Sequence, residues 1–472
     1  MKRYLKIALA FLLLAVFFVP MGVAGEPSVS VGLASGVSNC TLKANSITFY
    51  DASGKQASFR GTVSVSAGGR NNIAVGGKTL ALPVTVKSKG LLYLNGKPYR
   101  GIFRLVASSN SFTVVNELPI EDYLKGVLKI EVNPNWPMEA LRAQAITART
   151  YALAERGRHG SAGFDLCATD HCLPYRGVSA EDSRLTQAIE STRGMVLYYG
   201  GRPAATFFHS DSGGWTSNVQ SVWGQDIPYL RSVQEPFEYQ SPYSSWSLKI
   251  SGDEIGRRLS RAGIDVGSVF EIRPAKFGPG GRVETVEIVG SRGRKTIKSH
   301  DLRMALGAKE LKSTMFTVSA DGQAPRVVKP APKPSEPDGA QSQSSTLITL
   351  TREGAFTSEE LLDMLLHPEK KEEYVQKALA RRGGKALAPS TPESSSKKDP
   401  KLLWPQWEMP DESADRDTTG AVRGTTFVFQ GKGWGHGVGM CQWGAKAMAE
   451  NGWSAEKIVK YYYPGTQLQK LY

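Results

Sequence analysis

Cysteine is scarce in this chain of 472 residues, which contains only four. So few cysteines exclude a small scaffold held together by disulfide bonds. The sequence also lacks an internal repeat, and beyond residue 24 it lacks an apolar run long enough to cross a bilayer. With 40% hydrophobic and 22% charged residues, the rest is expected to form a globular protein of two or three domains.

Acidic residues are outnumbered, 44 against 58 Lys and Arg, which gives a formal net charge of +14. A basic start, an apolar run over residues 7–19 and small residues up to Ala24 predict an export signal over residues 1–24, or a retained membrane anchor. Removal of this signal, which carries three basic residues and no acidic ones, would lower the formal net charge of the chain from +14 to +11. A basic protein in the periplasm, in the cell envelope or outside the cell is not expected to meet nucleic acid. Anionic wall polymers and phospholipid head groups are the expected partners.

The hydrophobic pattern predicts an α+β fold. Short alternating runs broken by Gly and Asn predict strands, with hairpin turns at Asn95-Gly96 and Gly200-Gly201. Pro, Ser, Lys and Gln then dominate an insertion, in which residues 357–360 form a capping-box pattern ahead of a short helix. The expected division is a β-rich region over 25–115, a mixed α/β catalytic core over 116–320, the low-complexity insertion over 321–422 and a Gly/Trp-rich segment over 423–472 that completes the core.

Residues 117–151 predict two helices separated by prolines, with Pro137 opening the second. Apolar residues recur with the period of a helix up to Leu128, and the next position on that face is Glu131. Glu131 is therefore expected to face inward at a helix end, where desolvation and the helix dipole raise its pKa, as a general acid near neutrality requires. The alternative is a surface glutamate on a frayed end. Glu121 is expected to be solvent-exposed, and Glu139 to lie in the first turn of the second helix.

Two imidazoles and two thiols lie within fourteen residues, at His159, Cys167, His171 and Cys172. They could fill the tetrahedral shell of a zinc ion, and a filled shell would make the metal structural. A disulfide between Cys167 and Cys172, or two free thiols, are the alternatives.

Two further motifs carry polar groups that could meet a ligand. His209-Ser-Asp-Ser-Gly-Gly follows a predicted strand, and because neighbours on a strand point to opposite faces, a positioning loop is favoured over a catalytic triad. The stretch from Gly431 to Ala445 lacks the Gly-Lys-Ser/Thr ending of a phosphate loop. Its glycines allow close backbone approach, and Trp434, Trp443 and His436 offer stacking and hydrogen bonds to sugar rings; a structural glycine turn is the alternative.

Four segments together resemble the stage II sporulation protein D family: Asn116-Glu-Leu-Pro with Glu131, the stretch from Trp136 to Tyr151, His209 to Gly214, and Gly433 to Ala445. That family includes lytic transglycosylases of peptidoglycan and relatives named amidase enhancers. The resemblance covers about residues 94–318 and 425–470. The chain departs from it at Cys441, where the family usually has serine, and in the long insertion.

The resemblance implies that Glu131 is the catalytic acid and that the Cys/His cluster is the zinc site of some family members. It implies a glycan-binding set of Arg142, Gln144, Arg149, His209, Ser210, Ser212, Trp434, His436 and Gln442. The expected function is an exported lytic transglycosylase that cleaves between MurNAc and GlcNAc, on glycan stripped of peptides. The alternatives are a non-catalytic, glycan-binding activator of a cell-wall amidase, and a zinc hydrolase, against which a filled metal shell argues.

A lytic transglycosylase needs one carboxylic acid, whereas an ordinary glycosidase uses two. The acid protonates the glycosidic oxygen and then takes a proton from the sugar's own 6-hydroxyl, which closes a 1,6-anhydro ring. Because that nucleophile is intramolecular, proximity can supply on the order of 7 kcal/mol of the barrier.

Overall fold

A computed structural model describes residues 25–320 and 422–472, together with residues 350, 355–357, 360, 364 and 371–381 of the insertion. The predicted export signal and most of the insertion lie outside the described residues. The chain forms two compact units, one made of residues 1–326 and 419–472 and the other of residues 327–418. Across the described residues, every helix is too short or too polar to span a membrane.

Mixed helices and sheets confirm the predicted α+β class. The first half of the chain builds an eleven-stranded sheet in the order β11-β1-β10-β9-β6-β2-β3-β4-β5, with β7 joined to β2 and β8. The hairpin at Asn95-Gly96 is confirmed, since both residues have positive φ and Leu94 pairs with Lys97. The strands are β1 Ser28–Val37, β2 Asn39–Tyr50, β3 Gln56–Ala67, β4 Asn72–Val75, β5 Lys78–Ala81, β6 Val84–Ser88, β7 Leu92–Leu94, β8 Lys97–Tyr99, β9 Ile102–Ser108, β10 Ser111–Pro119 and β11 Leu166–Cys167.

The predicted pair of helices is three segments. α1 (Ile120–Lys125) and α2 (Leu128–Glu131) follow β10 directly, and Pro137 caps α3 (Met138–Ala154). Every residue of α3 from Ala140 to Ala152 is buried except Arg142. Its Leu141, Ala145 and Ala148 pack into the core beneath the large sheet, while Ala143 and Ile146 pack into a second core with the C-terminal helices. Since its side chains are buried on every side, α3 lies between the two cores at the centre of this unit.

The second half of the chain forms smaller sheets around α3. Their orders are β13-β12-β23, β14-β22, β15-β21-β19 and β18-β17-β16-β20. The hairpin at Gly200-Gly201 is confirmed at the turn, but its second arm ends at Pro203, and His209 pairs instead with Cys441. The strands are β12 Met195–Tyr199, β13 Arg202–Pro203, β14 Phe208–His209, β15 Trp246–Ser251, β16 Val269–Phe277, β17 Val283–Gly290, β18 Gly293–Lys298, β19 Phe316–Ala320, β20 Val422–Arg423, β21 Thr426–Gly431, β22 Met440–Cys441 and β23 Gln467–Lys470.

The remaining helices of the larger unit are short and begin at polar caps in several cases, as at Asp182, Ser251 and Ser454. The helices are α4 Ser183–Ser191, α5 Val219–Trp223, α6 Gly252–Arg261, α7 Ser299–Leu306, α9 Gln442–Glu450 and α10 Ala455–Tyr462, with 3₁₀ turns at Gly160–Ala162, Gly177–Ala180 and Pro279–Gly281.

The smaller unit has its own apolar cluster. Leu350, Phe356 and Met364 are buried there with residues of α8 (Lys371–Arg381). The predicted capping box is confirmed, because Thr357 N donates to Glu360 Oε2 at 2.9 Å and Glu360 N donates to Thr357 Oγ1 at 3.2 Å.

Candidate active site

Glu131 is the last residue of α2, at the end of the apolar face that the sequence pattern indicated. Burial raises the pKa of its carboxyl group to about 7; a hydrogen bond with Gln442 lowers the pKa, and the negative charge of Asp170 raises it. A carboxyl group with this pKa is protonated in a large fraction of molecules at neutral pH. It can therefore give a proton to a substrate and take one back.

Two amide side chains adjoin this carboxyl group. Gln442, the first residue of α9, hydrogen-bonds to Glu131 and donates its Nε2 to Gln144 Oε1 at 3.4 Å. Gln144 is 1% exposed, and its own Nε2 has no partner among the described atoms. The fold thus brings together Glu131, Gln144 and Gln442, three of the predicted site residues, from three different helices.

Pairing of β14 with β22 positions Gln442. His209 pairs with Cys441 in parallel register, immediately before Gln442. The Cys441 sulfur accepts hydrogen bonds from Ser212 N at 3.3 Å and Gly444 N at 3.2 Å, and so caps α9 as a serine hydroxyl would. The departure from the family pattern at Cys441 therefore leaves the start of this helix intact.

Two tryptophans lie close in sequence to the candidate site residues, Trp136 to Glu131 and Trp443 to Gln442. Trp136 and Trp443 contact edge to face, with ring centroids 5.1 Å apart, and Lys446 Nζ lies 5.5 Å from the Trp443 ring centroid. Both rings are partly exposed and offer the aromatic faces on which sugars stack. Trp443 was anticipated from its motif; Trp136 was named only as part of the resemblance.

The structure contradicts the glycan-contacting role predicted for Arg149. Its side chain is 0% exposed, and it donates to both oxygens of Glu121 at 2.9 and 2.8 Å. The expectation of an exposed Glu121 is therefore wrong as well, since that side chain is 1% exposed. Arg142 is partly exposed, but Glu139 and Ser191 hold its guanidinium at 2.5 and 3.0 Å.

The motif that begins at His209 is mostly internal. His209 is 4% exposed and shares a hydrogen bond with Val438 O, at 3.2 Å from Nδ1, and Ser212 is fully buried with its hydroxyl on Glu235. Neither side chain can touch a glycan in this conformation, contrary to the prediction. Burial lowers the pKa of His209 well below its usual value and that of His436 to about 3, so both rings are neutral at neutral pH.

Three other predicted contact residues, Ser210, Trp434 and His436, are partly exposed. Trp434 contacts the Tyr243 ring edge to face at 4.4 Å and lies 5.7 Å from Lys312 Nζ. The structure thus leaves Ser210 and Trp434 available to a ligand, whereas the His436 ring accepts from Val438 N at 3.0 Å and hydrogen-bonds to the Phe208 backbone.

A buried acidic network behind this motif was not anticipated. Glu235 accepts from Tyr462 Oη at 2.6 Å and from Ser212 Oγ at 2.8 Å, and burial raises its pKa to about 7. Asp211 accepts from Tyr239 Oη at 2.9 Å. No sequence signal could have found the network, because its members are scattered across more than 200 residues.

The four predicted metal ligands converge. The ligand atoms of His159, Cys167, His171 and Cys172 all lie within 4.8 Å of one another. His159 Nε2 is 3.3 Å from the Cys172 sulfur, and His171 Nδ1 is 3.6 and 3.7 Å from the two sulfurs. Ligands at zinc's usual bond lengths in a tetrahedron are separated by roughly 3.4–3.8 Å, so these residues fit the ion.

The Cys/His cluster is joined to the large sheet through β11. β11, which ends at Cys167, pairs in parallel with β1, and the His159 ring stacks on Phe164 with centroids 5.1 Å apart. The four cysteines of the chain are free thiols in this structure. Two thiolates and two imidazoles would leave a zinc ion no open position, which makes its role structural.

Comparison with known proteins shows what this chain is similar to. The model of the family described as "Stage II sporulation protein" matches residues 108–199, which include Glu131 and the Cys/His cluster. A protein of Brachyspira hyodysenteriae, described as uncharacterized, is 32% identical over 226 residues, 48% of this chain and 60% of its own length.

Two relatives of Bacillus subtilis have functional names. An "Amidase enhancer" is 26% identical over 84% of this chain, which spans 48% of that protein. A "Stage II sporulation protein D" is 25% identical over 75% of this chain and 76% of its own length. The resemblance seen in the sequence is therefore confirmed: residues 108–199 match the stage II sporulation protein family model, and the chain is similar over most of its length to relatives with the names given above.

Proposed function

We propose that this protein is an exported lytic transglycosylase that cleaves peptidoglycan glycan strands between MurNAc and GlcNAc. The observation that carries the proposal is the state of Glu131, a desolvated carboxyl group with a pKa of about 7 beside the amide of Gln442. The family assignment supports a role in the cell wall.

In this reaction the Glu131 carboxyl proton passes to the glycosidic oxygen while the bond from MurNAc C1 to that oxygen breaks. The carboxylate then takes the proton of the MurNAc 6-hydroxyl, and O6 forms a bond to C1. The result is a 1,6-anhydro end, with Glu131 protonated again. Gln442 would hold the carboxylate between the two steps, and Trp136 and Trp443 would carry the sugars.

Zinc would be held by the Cys/His cluster and would supply folding energy rather than chemistry. The Cys167 and Cys172 thiolates and the His159 and His171 rings would fill its shell. Loss of the ion is therefore expected to affect Glu131 only through the fold.

The test is digestion of peptide-free glycan by the wild-type protein and by Glu131→Gln, with mass spectrometry of the ends. The wild type should release anhydro-muramyl ends, and Glu131→Gln should be slower by roughly 10²–10⁴ because it keeps the shape but cannot give a proton. Glu456→Gln is the matched control, since Glu456 makes only an exposed pair with Lys460 on α10. Equal rates for Glu131→Gln and the wild type would refute the proposal. Ordinary reducing ends would indicate hydrolysis by water, for which exposed Asp170 is the nearby second carboxylate.

A second candidate is a non-catalytic activator of a cell-wall amidase, favoured by the relative named "Amidase enhancer", which aligns with 84% of this chain. Under this candidate neither the wild type nor Glu131→Gln cleaves glycan, and both stimulate an added amidase equally. The same preparations therefore distinguish the two functions.

A further inference from the structure

A hollow of about 500 Å³ opens beside the Cys/His cluster, and the mechanism above makes no use of it. Its lining includes Lys97, Tyr99, Asp170, Tyr175 and Arg176. Asp170 is also the residue whose charge raises the pKa of Glu131, so the hollow lies within electrostatic reach of the acid. The volume is within the usual range of small-ligand sites.

The Arg176 guanidinium is held in place from one side. Its NH1 group donates to Ala168 O at 3.0 Å and to Tyr175 O at 3.1 Å, and its backbone N–H donates to Gly126 O at 3.0 Å. The other nitrogens, Nε and NH2, have no partner among the described residues. A guanidinium anchored in this way presents two parallel N–H groups to a planar carboxylate.

Lys97 reaches the hollow from a rigid hairpin. It follows the Asn95-Gly96 turn, in which Asn95 Oδ1 accepts from Thr41 N at 2.8 Å. The hairpin packs closely on the segment that carries Arg176. A Cβ atom on Gly177 would lie 2.5 Å from Pro98 O, and Gly177 has a φ of +59°, so only glycine fits there.

Aromatic rings form a wall of the hollow. Tyr99 and Tyr175 are both buried, with ring centroids 5.9 Å apart, and the Tyr175 hydroxyl donates to Asn116 Oδ1 at 2.8 Å. These contacts fix the wall before any ligand arrives. The hollow therefore has a rigid wall, with the two cations at its rim.

The charges in the hollow do not balance. Lys97 and Arg176 are both exposed, and among the described residues neither is within ion-pair distance of a carboxylate, although Asp170 lines the same hollow. The arginines that the sequence suggested for an acidic glycan are occupied, since Arg149 pairs with Glu121 and Arg142 with Glu139. An incoming carboxylate would bring the two cations and Asp170 to neutrality.

We propose that this hollow, with Lys97 and Arg176 at its rim, is a subsite for the lactyl carboxylate of a muramyl residue that has lost its peptide. The identity of the ligand rests on the proposed function above. A lactyl group still bound to a peptide is an amide and carries no charge, so the subsite would favour peptide-free glycan through charge-assisted hydrogen bonds.

The test measures binding by calorimetry in the Glu131→Gln background, so that no ligand is consumed. Three tetrasaccharides serve as probes: peptide-free GlcNAc–MurNAc, the same compound with methylamidated lactyl groups, and chitotetraose. Without the substitutions at the hollow, the free carboxylate should bind about 10- to 100-fold more tightly than the amide. Lys97→Gln with Arg176→Lys should remove most of this difference and leave chitotetraose binding unchanged. Lysine at position 176 keeps the charge but loses the paired N–H groups.

Lys89→Gln with Arg60→Lys is the matched control, because it makes the same exchanges at exposed positions that do not line the hollow. An unchanged preference for the carboxylate in the Lys97/Arg176 variant would overturn the subsite. If the variant lost equal affinity for the carboxylate and the amide tetrasaccharides, the subsite would also be refuted, since the hollow would then bind another part of the glycan.

The two proposals fail separately. If the wild-type protein cleaves glycan but the carboxylate tetrasaccharide binds no more tightly than the amide, only the subsite is refuted. If the carboxylate preference depends on Lys97 and Arg176 but the protein never cleaves glycan, the enzymatic function is refuted. The subsite then remains as part of a binding protein.

Discussion

Replacement of Glu121 by glutamine is expected to destabilise the larger unit strongly. Besides the two bonds from Arg149, one Glu121 oxygen accepts from Gly194 N at 3.1 Å and from the Tyr472 hydroxyl. Glutamine removes the negative charge and turns one acceptor into a donor that faces other donors. Arg149, which is 0% exposed, would then be a buried charge without a counterion.

Removal of one partner from a buried ion pair costs about 3–5 kcal/mol. In a unit of this size that corresponds to a fall in Tm of roughly 4–7 °C. Scanning calorimetry of the wild type, Glu121→Gln, Arg149→Met and the double variant would measure both the loss and the coupling between the two residues. The double variant should lose less than the sum of the two single variants, because it leaves no unpaired charge.

Glu456→Gln again serves as the control, since its exposed pair with Lys460 is worth only about 0.3–0.5 kcal/mol. A Tm of Glu121→Gln within 2 °C of the wild type would refute the reasoning. It would show that Arg149 finds another counterion or that water enters this part of the core.

The remaining predictions concern pH, metal and the insertion. In the proposed mechanism Glu131 acts when protonated, so kcat/KM should fall as pH rises through about 7. The hydrogen bond from Gln442 lowers the pKa of Glu131, so Gln442→Met should raise that pKa and move the fall to higher pH; a pH profile that does not move would contradict the role of Gln442. Elemental analysis should find about one zinc per chain, and Cys172→Ser should lose metal and thermal stability together; protein purified without chelator and free of zinc would count against the site. Replacement of residues 325–418 by a Gly/Ser linker should leave the Tm of the larger unit within a few degrees, as calorimetry would show, whereas loss of a cooperative transition would contradict this independence.

Local patterns were enough to predict the features that depend on neighbouring residues. The position of Glu131 followed from helical periodicity, because Leu128 and Glu131 lie one turn apart in the same short helix, α2. The hairpin at Asn95-Gly96 and the capping box at Thr357 follow from the conformational preferences of single residues. In each case the determining contacts lie within a few positions along the chain.

Side chains whose partners are distant in sequence could not be placed in this way. Arg149 was taken for a glycan ligand because it is an arginine in a family motif, but its partner lies 28 residues away. One available signal was overlooked: α3 is rich in small and apolar residues on every side, which indicates a helix buried all round. In such a helix an arginine must find a carboxylate inside the fold, and Glu121 in α1 was a candidate.

The pairing of distant strands explains how the site tolerates a long insertion. Glu131 and Gln442 lie on either side of it, and the insertion leaves the larger unit after β19 and returns at β20. β19 and β21 pair antiparallel, with Ala320 opposite Phe427, so the chain returns to the strand beside the one from which it left. Loop closure costs little extra for added length, about 0.6 kcal/mol for each doubling. The position of Gln442 is therefore set by β21 and β22 rather than by the residues between, and changes in β22 should disturb Glu131 more than changes in insertion length.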